Sequence, residues 1–142
     1  MTLPQLTTPE FQTKLPSTQE TIHYRPFLVK EEKMLLMAQQ GKDQKEILSV
    51  VFNILESCIK TPLEVRKLAP FDIEWLFLQL RAKSVGEVID LKLKHLKEEC
   101  GGMTDVEINI NDIKVHFPEK KDDVVMMDQN IGLKMRYPSV EM

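Results

Sequence analysis

The sequence contains few cysteines and no long apolar run, and both absences narrow the class of protein. The two cysteines, Cys58 and Cys100, lie far apart, which is typical of a reduced chain rather than of a disulfide framework. No stretch approaches the roughly 18 apolar residues that a membrane-spanning helix needs. The N-terminus also lacks the basic and apolar segments of a secretory signal. We therefore expect a protein without a membrane partner that works in the cytoplasm, or in an assembly built there.

An excess of basic residues is also missing. The net charge is -3, and the lysines are interleaved with acidic residues rather than grouped. A surface that binds nucleic-acid phosphates is normally a basic patch, so nucleic acid is not expected as a partner. With 142 residues, 42% hydrophobic and 29% charged, the chain can bury one core of ordinary size. A single small domain is the expectation.

No recognised signature of a metal site or of a catalytic site occurs. Structural zinc needs four ligands in paired spacing, and neither Cys58 nor Cys100 has a cysteine or histidine two or three positions away. The histidines His23, His95 and His116 could approach a cysteine only through the fold, and no nucleophile motif surrounds either cysteine. A phosphate-binding glycine loop is absent. We expect no metal, no cofactor and no catalytic residue, with a small cysteine-dependent enzyme as an alternative.

Three helices are predicted in the first part of the chain. The first covers about residues 28–40 and ends at Gly41, a residue that commonly follows the last turn of a helix. Asp43, followed three residues later by Glu46, resembles a capping box at the start of the second, amphipathic helix. Pro70 stands where proline commonly opens a helix, and the third helix follows it.

Short strands are predicted on both sides of these helices. Before the helices they flank turn residues, and after Gly86 the hydrophobic period changes to the apolar–polar alternation of half-buried antiparallel strands. In order they are 11–15, 21–24, 87–95, 104–110 and 113–117, followed by a hairpin that turns near 128–132. The predicted fold class is α+β, with about three helices packed against antiparallel hairpins. Residues 1–10 are expected to be a flexible arm. Residues 11–142 are expected to form the domain, with helices in about 28–84 and hairpins in about 86–139.

The third helix carries apolar side chains on two sides. One stripe consists of Phe71, Trp75, Leu78 and Ala82, and the other of Ile73, Leu76, Phe77 and Leu80. A helix that is apolar all round is commonly a core helix, so both stripes could be buried within the domain. Alternatively, one stripe packs internally and the other meets a partner, because a small domain has few elements to cover both. The candidate partner-binding residues are Phe71, Trp75, Phe77 and Leu78, with Arg81 at the margin.

Methionine is frequent, with eight residues in the chain. Five of them, Met34, Met37, Met126, Met127 and Met135, lie in predicted helices or in the last hairpin. Methionine commonly fills gaps in a core, but it also suits contact surfaces that adapt to a partner. Both interpretations stay open from the sequence.

Four segments of the chain resemble a known family. They are HYRPFLVKEEKMLLMAQQ, FDIEWLFLQLRAKSVGEVIDL, VEININDIKVHFP and IGLKMRYPS, and together they span most of residues 11–139. The strings RPFLVKEEK and DIEWLFLQLRAKSVGE are the most specific because they are long and ungapped. These segments are similar to the baseplate hub family of T-even-type contractile-tailed bacteriophages.

The resemblance implies a function that composition could not supply. A member of this family is expected to be a late viral protein that helps assemble the tail baseplate hub in the host cytoplasm, as an assembly chaperone that binds other hub or tail proteins. The resemblance carries no catalytic residues over to this chain. The alternative within the same family is a permanent structural subunit of the virion baseplate.

Overall fold

The computed structural model describes residues 7–41, 43–96, 101–117 and 123–140. Three helices and three two-stranded antiparallel sheets form one small domain, so the predicted α+β class is confirmed. The helices are α1 (Val29–Gly41), α2 (Gln44–Cys58) and α3 (Pro70–Ser84). The strands are β1 (Phe11–Lys14), β2 (Thr21–Tyr24), β3 (Val88–Lys94), β4 (Met103–Asn109), β5 (Val124–Asp128) and β6 (Ile131–Lys134). Short 3-10 turns cover Val65–Lys67 and Ile110–Asp112.

The helix ends follow the local chemistry of the sequence. Asp43 caps α2, since its carboxylate accepts a hydrogen bond from the backbone N–H of Lys45 at 2.9 Å. Pro70 occupies the first turn of α3, where the missing N–H of proline costs nothing. Asp72 in the same turn places a negative charge at the positive end of the helix dipole. The three predicted helices are therefore confirmed, and α1 lies within one residue of its predicted bounds.

The core forms where the β1–β2 hairpin meets α2 and α3. Its buried members are Leu15, Ile22, Tyr24, Phe27, Phe52, Ile54, Leu55, Cys58, Val65, Ile73, Leu76 and Leu80. The segment that follows α2 forms backbone hydrogen bonds along the edge of β2 that does not face β1. The N–H of Lys60 donates to the carbonyl of His23 at 2.9 Å. The N–H of Arg25 likewise donates to the carbonyl of Cys58 at 3.0 Å. These bonds satisfy backbone groups that burial would otherwise penalise.

Two polar contacts fix the β1–β2 hairpin and the segment that follows it against α3. The buried carboxylate of Asp72 accepts a hydrogen bond from the N–H of Ser17 at 2.9 Å, which joins the β1–β2 turn to the start of α3. At the other end of α3, the hydroxyl of Ser84 accepts from the N–H of Phe27 at 3.0 Å. The hairpin is thus tied to both ends of the same helix.

The β3–β4 hairpin has the predicted strands but little of the predicted burial. Every residue of β3 is exposed except Ile89, and only Val106 and Asn109 of β4 are partly buried. Its attachment to the helical part is Ile110, which is fully buried and whose N–H donates to the carbonyl of Glu87 at 2.8 Å. The expectation of half-buried strands is therefore wrong for most of this hairpin.

The predicted strand at 113–117 is also wrong. After Asn109 the chain turns, because the side chain of Asn109 accepts a hydrogen bond from the N–H of Asn111 at 3.0 Å and a 3-10 turn follows. Beyond that turn the residues up to Phe117 are irregular. The alternation of Ile113 and Val115 predicts a strand, but alternation alone supplies no neighbouring edge with which to pair.

The last hairpin turns where the sequence predicts, at Gln129 and Asn130 between β5 and β6. Some further expectations fall outside the described residues: most of the 1–10 arm, the centre of the β3–β4 connection including Cys100, and most of the charged segment 119–123. Of the arm, Glu10 is described and forms an ion pair with Lys60.

Candidate functional site

The two apolar stripes of α3 have different surroundings. Ile73, Leu76 and Leu80 are buried in the core. On the opposite side, Trp75 and Leu78 are only half-buried, and 38% of Phe71 is exposed. One stripe therefore packs internally, while the other leaves large side chains open to solvent.

The open stripe lines a shallow groove of about 430 Å³. Its walls are Pro16, Phe71, Glu74, Trp75, Leu78 and Val115. Five of these six residues are apolar, and Glu74 is the single charge among them. A concave apolar surface with one acidic side chain in its wall suits the binding of an apolar side chain that has a basic neighbour.

The two aromatic residues of the groove are held in place by contacts outside it. The indole N–H of Trp75 donates to the hydroxyl of Thr13 on β1 at 3.1 Å. The ring of Phe71 meets the ring of Tyr137 edge to face, with 5.0 Å between their centroids. Because these contacts restrict the rings before any partner arrives, the groove loses little conformational entropy on binding.

The structure does not bring the other two candidate residues into this groove. Phe77 is half-buried and packs against the core cluster. Arg81 is half-buried as well, and its guanidinium donates to the carbonyl of Gly86 at 3.5 Å. In this arrangement Phe77 contributes to the core, and Arg81 contacts the turn that ends α3.

Three residues in or beside the groove could not be identified from the apolar pattern of α3. Pro16 belongs to the β1–β2 turn, Val115 to the irregular segment after β4, and Tyr137 to the chain after β6. Each is distant from α3 in sequence or lies outside a regular element. Sequence reasoning missed them because only the tertiary fold brings them to the helix.

Four of the five methionines singled out from the sequence are exposed. Met37 lies on α1, Met126 and Met127 on β5, and Met135 just after β6. Met34 is half-buried. The core-filling interpretation is therefore wrong for the exposed four, and these side chains enlarge the apolar surface available to a partner.

Cys58 lies in the core with no exposed surface. Burial raises the pKa of its thiol to about 11, and the nearby Arg25 guanidinium offsets this only in part. A thiol with so high a pKa is protonated near neutral pH, whereas a nucleophilic cysteine requires the thiolate. Cys58 therefore has neither the access nor the ionisation that cysteine-dependent catalysis needs.

Within the described ranges, no three histidine, cysteine or acidic side chains come close enough to hold a metal ion. Of the helices that the structure describes, none has the length and apolar character required to cross a membrane.

A family model described as T4 bacteriophage base plate protein matches residues 8–142. The chain belongs to this family. Its resemblance to T-even-type baseplate proteins is thereby confirmed. No curated protein and no solved structure matches the chain.

Membership of the baseplate family offers an explanation for the exposed apolar surfaces. A phage baseplate protein belongs to the virion tail and meets other baseplate proteins there. Open apolar surface is expected on such a chain before it is assembled. The groove on α3 is a concave apolar surface of this kind, and it is the candidate functional site.

Proposed function

We propose that this baseplate protein is an assembly factor of the tail hub, which acts in the host cytoplasm by binding other hub or tail proteins and catalyses no reaction. The observation that carries the proposal is the groove on α3, with its restrained aromatic walls. The family match supports the baseplate role, and the burial of Cys58 speaks against a cysteine-dependent enzyme that uses this residue.

The groove has the composition of a binding hot spot. Aromatic residues are enriched at such sites because they bury a large area with few rotatable bonds. Phe71 and Trp75 provide that area, and Glu74 lies between them in the sequence and on the same wall. The expected partner surface therefore presents an apolar side chain to the rings and a lysine or arginine to Glu74. The charge would set orientation and association rate more than affinity.

Co-expression of the full chain with individual hub and tail proteins, followed by affinity capture, tests this proposal. Phe71→Asp places a charge in the groove, and an acidic residue is tolerated in the first turn of a helix. We expect it to weaken capture of the partner about 30-fold, the equivalent of about 2 kcal/mol at a hot spot. The matched control is Phe117→Asp, since Phe117 is also exposed but does not line the groove.

Equal capture by wild type and Phe71→Asp would show that the groove is not the contact. Loss of capture in both variants would point to a nonspecific effect of charge. Circular dichroism of each variant must first show unchanged helix content, because Phe71 also contacts Tyr137.

The alternative role is a permanent structural subunit, and the exposed hairpins favour it because apolar strands of this kind are commonly covered in a finished assembly. Mass spectrometry of purified particles and of infected-cell lysate separates the two roles. An assembly factor is enriched in complexes in the lysate and is present in finished particles below a fixed copy number. A subunit is present in particles at a fixed copy number.

A further inference from the structure

The strand edges of the described hairpins differ in how they are protected from pairing with another chain. In β3–β4, the N–H of His95 donates to the carbonyl of Gly102, and the N–H of Ile110 donates to the carbonyl of Glu87. These two bonds show which residues of the ladder form their backbone hydrogen bonds within the hairpin. The alternate positions point their backbone groups outward, and they carry Asp90 and Lys92 on β3 and Asp105 and Glu107 on β4. Charged side chains at such positions discourage edge pairing.

Two further edges are occupied or weakened. The edge of β2 is covered by the segment after α2, through a bridge between Tyr24 and Ile59. The outer edge of β6 carries Gly132 and Lys134. Glycine pairs poorly in a strand, and lysine is a common guard of edge strands.

The edge of β5 has neither protection. Its sequence from Val124 to Met127 is uncharged, and every residue of the strand is exposed. The N–H of Met135 donates to the carbonyl of Asp123 at 2.6 Å, so the alternation of the ladder turns the backbone groups of Val124 and Met126 away from β6. No described residue pairs with this edge, and an apolar edge with free backbone donors and acceptors is a template for an added strand.

The sheet to which β5 belongs also has too few strands. A two-stranded hairpin is marginal in water unless a third strand or another layer supports it. The whole chain exposes 11761 Å², whereas a compact monomer of 16.5 kDa exposes about 7,500 Å². A standard interface takes about 800 Å² from each partner. The surplus is large enough for a self-contact in addition to contacts with other baseplate proteins.

We propose that β5 pairs antiparallel with β5 of a second copy of this chain, about a twofold axis at Val125. The result is a four-stranded sheet in which Val124 of each copy exchanges backbone hydrogen bonds with Met126 of the other. Val125 shares a face with Leu133, its cross-strand partner on β6. The dimer would therefore carry one continuous apolar row across four strands.

The geometry of β5 fits this register better than a longer one. The ladder with β6 is regular from Val124 to Met126, and a β-bulge follows before Asp128. A bulge interrupts pairing, so the self-contact stays short. In this register Asp123 lies opposite Met127 of the second copy, and within the paired segment 123–127 no like charges oppose each other. The twofold contact is also closed, so it produces a dimer and not a fibre.

Sedimentation equilibrium of the full chain over a range of concentrations tests the dimer. The wild type is expected to approach twice the monomer mass of 16.5 kDa. Val125→Lys should raise the dimer dissociation constant about 30-fold or more, because two lysines would meet at the axis. The matched control is Val88→Lys, since Val88 is an exposed strand valine of similar exposure, 50% against 53% for Val125. This control should dimerise like the wild type.

Cysteine cross-linking tests the register. In a background with Cys100→Ser, Val125→Cys should form an intermolecular disulfide on mild oxidation, because directly opposed non-hydrogen-bonded residues lie about 4.5 Å apart at Cα. Val124→Cys should cross-link far less, since Val124 faces Met126 of the second copy. The parent chain retains only the buried Cys58 and should not cross-link.

A wild type that remains monomeric at concentrations up to roughly 100 µM would overturn the proposal. So would a dimer that Val125→Lys leaves intact, or one that cross-links through Val124→Cys as readily as through Val125→Cys. The groove proposal is independent of these results, because Phe71→Asp leaves the β5 edge unchanged.

Discussion

Glu31 is the buried acidic residue at the start of α1, with 7% of its surface exposed. Burial opposes the ionisation of its carboxylate. Hydrogen bonds from the Arg25 guanidinium and from the N–H of Leu28, each 2.9 Å long, outweigh that effect and hold the pKa of Glu31 below its ordinary value. One carboxylate thus joins the exit of the first hairpin to the first turn of α1.

Replacing Glu31 with glutamine should therefore lower stability in a pH-dependent way. Because the pKa is lower in the folded state, the carboxylate stabilises the fold above its unfolded pKa of about 4.3, and the contribution is lost as the pH falls through the folded pKa. We expect Glu31→Gln to cost about 2 kcal/mol at neutral pH. Urea unfolding at pH 7 and at about pH 3 measures the difference, which should shrink at the lower pH.

The exposed neighbour Glu32 provides the control for this experiment. Glu32→Gln should change the free energy of unfolding by less than about 0.5 kcal/mol at either pH. If the full cost of Glu31→Gln persisted at the acidic pH, the ion pair could not be its cause.

At the scale of elements, Ile110 attaches the β3–β4 hairpin to the helical part. It follows β4 directly, is fully buried, and is part of the 3-10 turn that meets α3. Most of the β3–β4 hairpin itself is exposed. The orientation of the hairpin therefore depends heavily on one side chain and on the backbone bond to Glu87.

Truncation of this side chain should be costly. Ile110→Ala removes three buried carbons and leaves a cavity, for an expected loss of about 3 kcal/mol in the free energy of unfolding. Ile108→Ala on the adjacent strand is the control, because 37% of Ile108 is exposed and its truncation should cost less than about 1 kcal/mol. Chemical denaturation of both variants measures the two costs. Equal costs would mean that Ile110 does not anchor the hairpin.

At the scale of the whole molecule, stability is expected to be uneven. Buried side chains are concentrated where β1–β2 meets α2 and α3, whereas all residues of β5 and β6 are exposed. Regions with few buried contacts open locally at a lower free energy than the global unfolding reaction. The helical core is therefore expected to open less often than the exposed hairpins.

Hydrogen exchange should reveal this division. In a dilute sample, the amides of α2 and α3 are expected to exchange at the limit of global unfolding, while those of β5 and β6 exchange faster through local opening. Raising the concentration should slow exchange at Val124 and Met126 if β5 pairs with a second copy. Uniform protection of helices and hairpins in the dilute sample would contradict this account.

Much of the fold was predictable from the sequence. Asp43 and Pro70 mark helix starts because capping depends on residues a few positions apart, and the α+β class followed from the change in hydrophobic period after Gly86. The alternation at Ile113 and Val115 was misleading because a strand also needs a partner edge.

The candidate site was only partly predictable for the same physical reason. The sequence by itself determined that α3 carries two apolar stripes, since the positions on a helical face follow from the helical repeat. Only the tertiary structure decided that Phe77 turns to the core while Phe71 and Trp75 line a groove. Pro16 and Val115 complete that groove from distant parts of the chain. Local geometry is encoded by neighbours in sequence, whereas exposure depends on which elements meet in space.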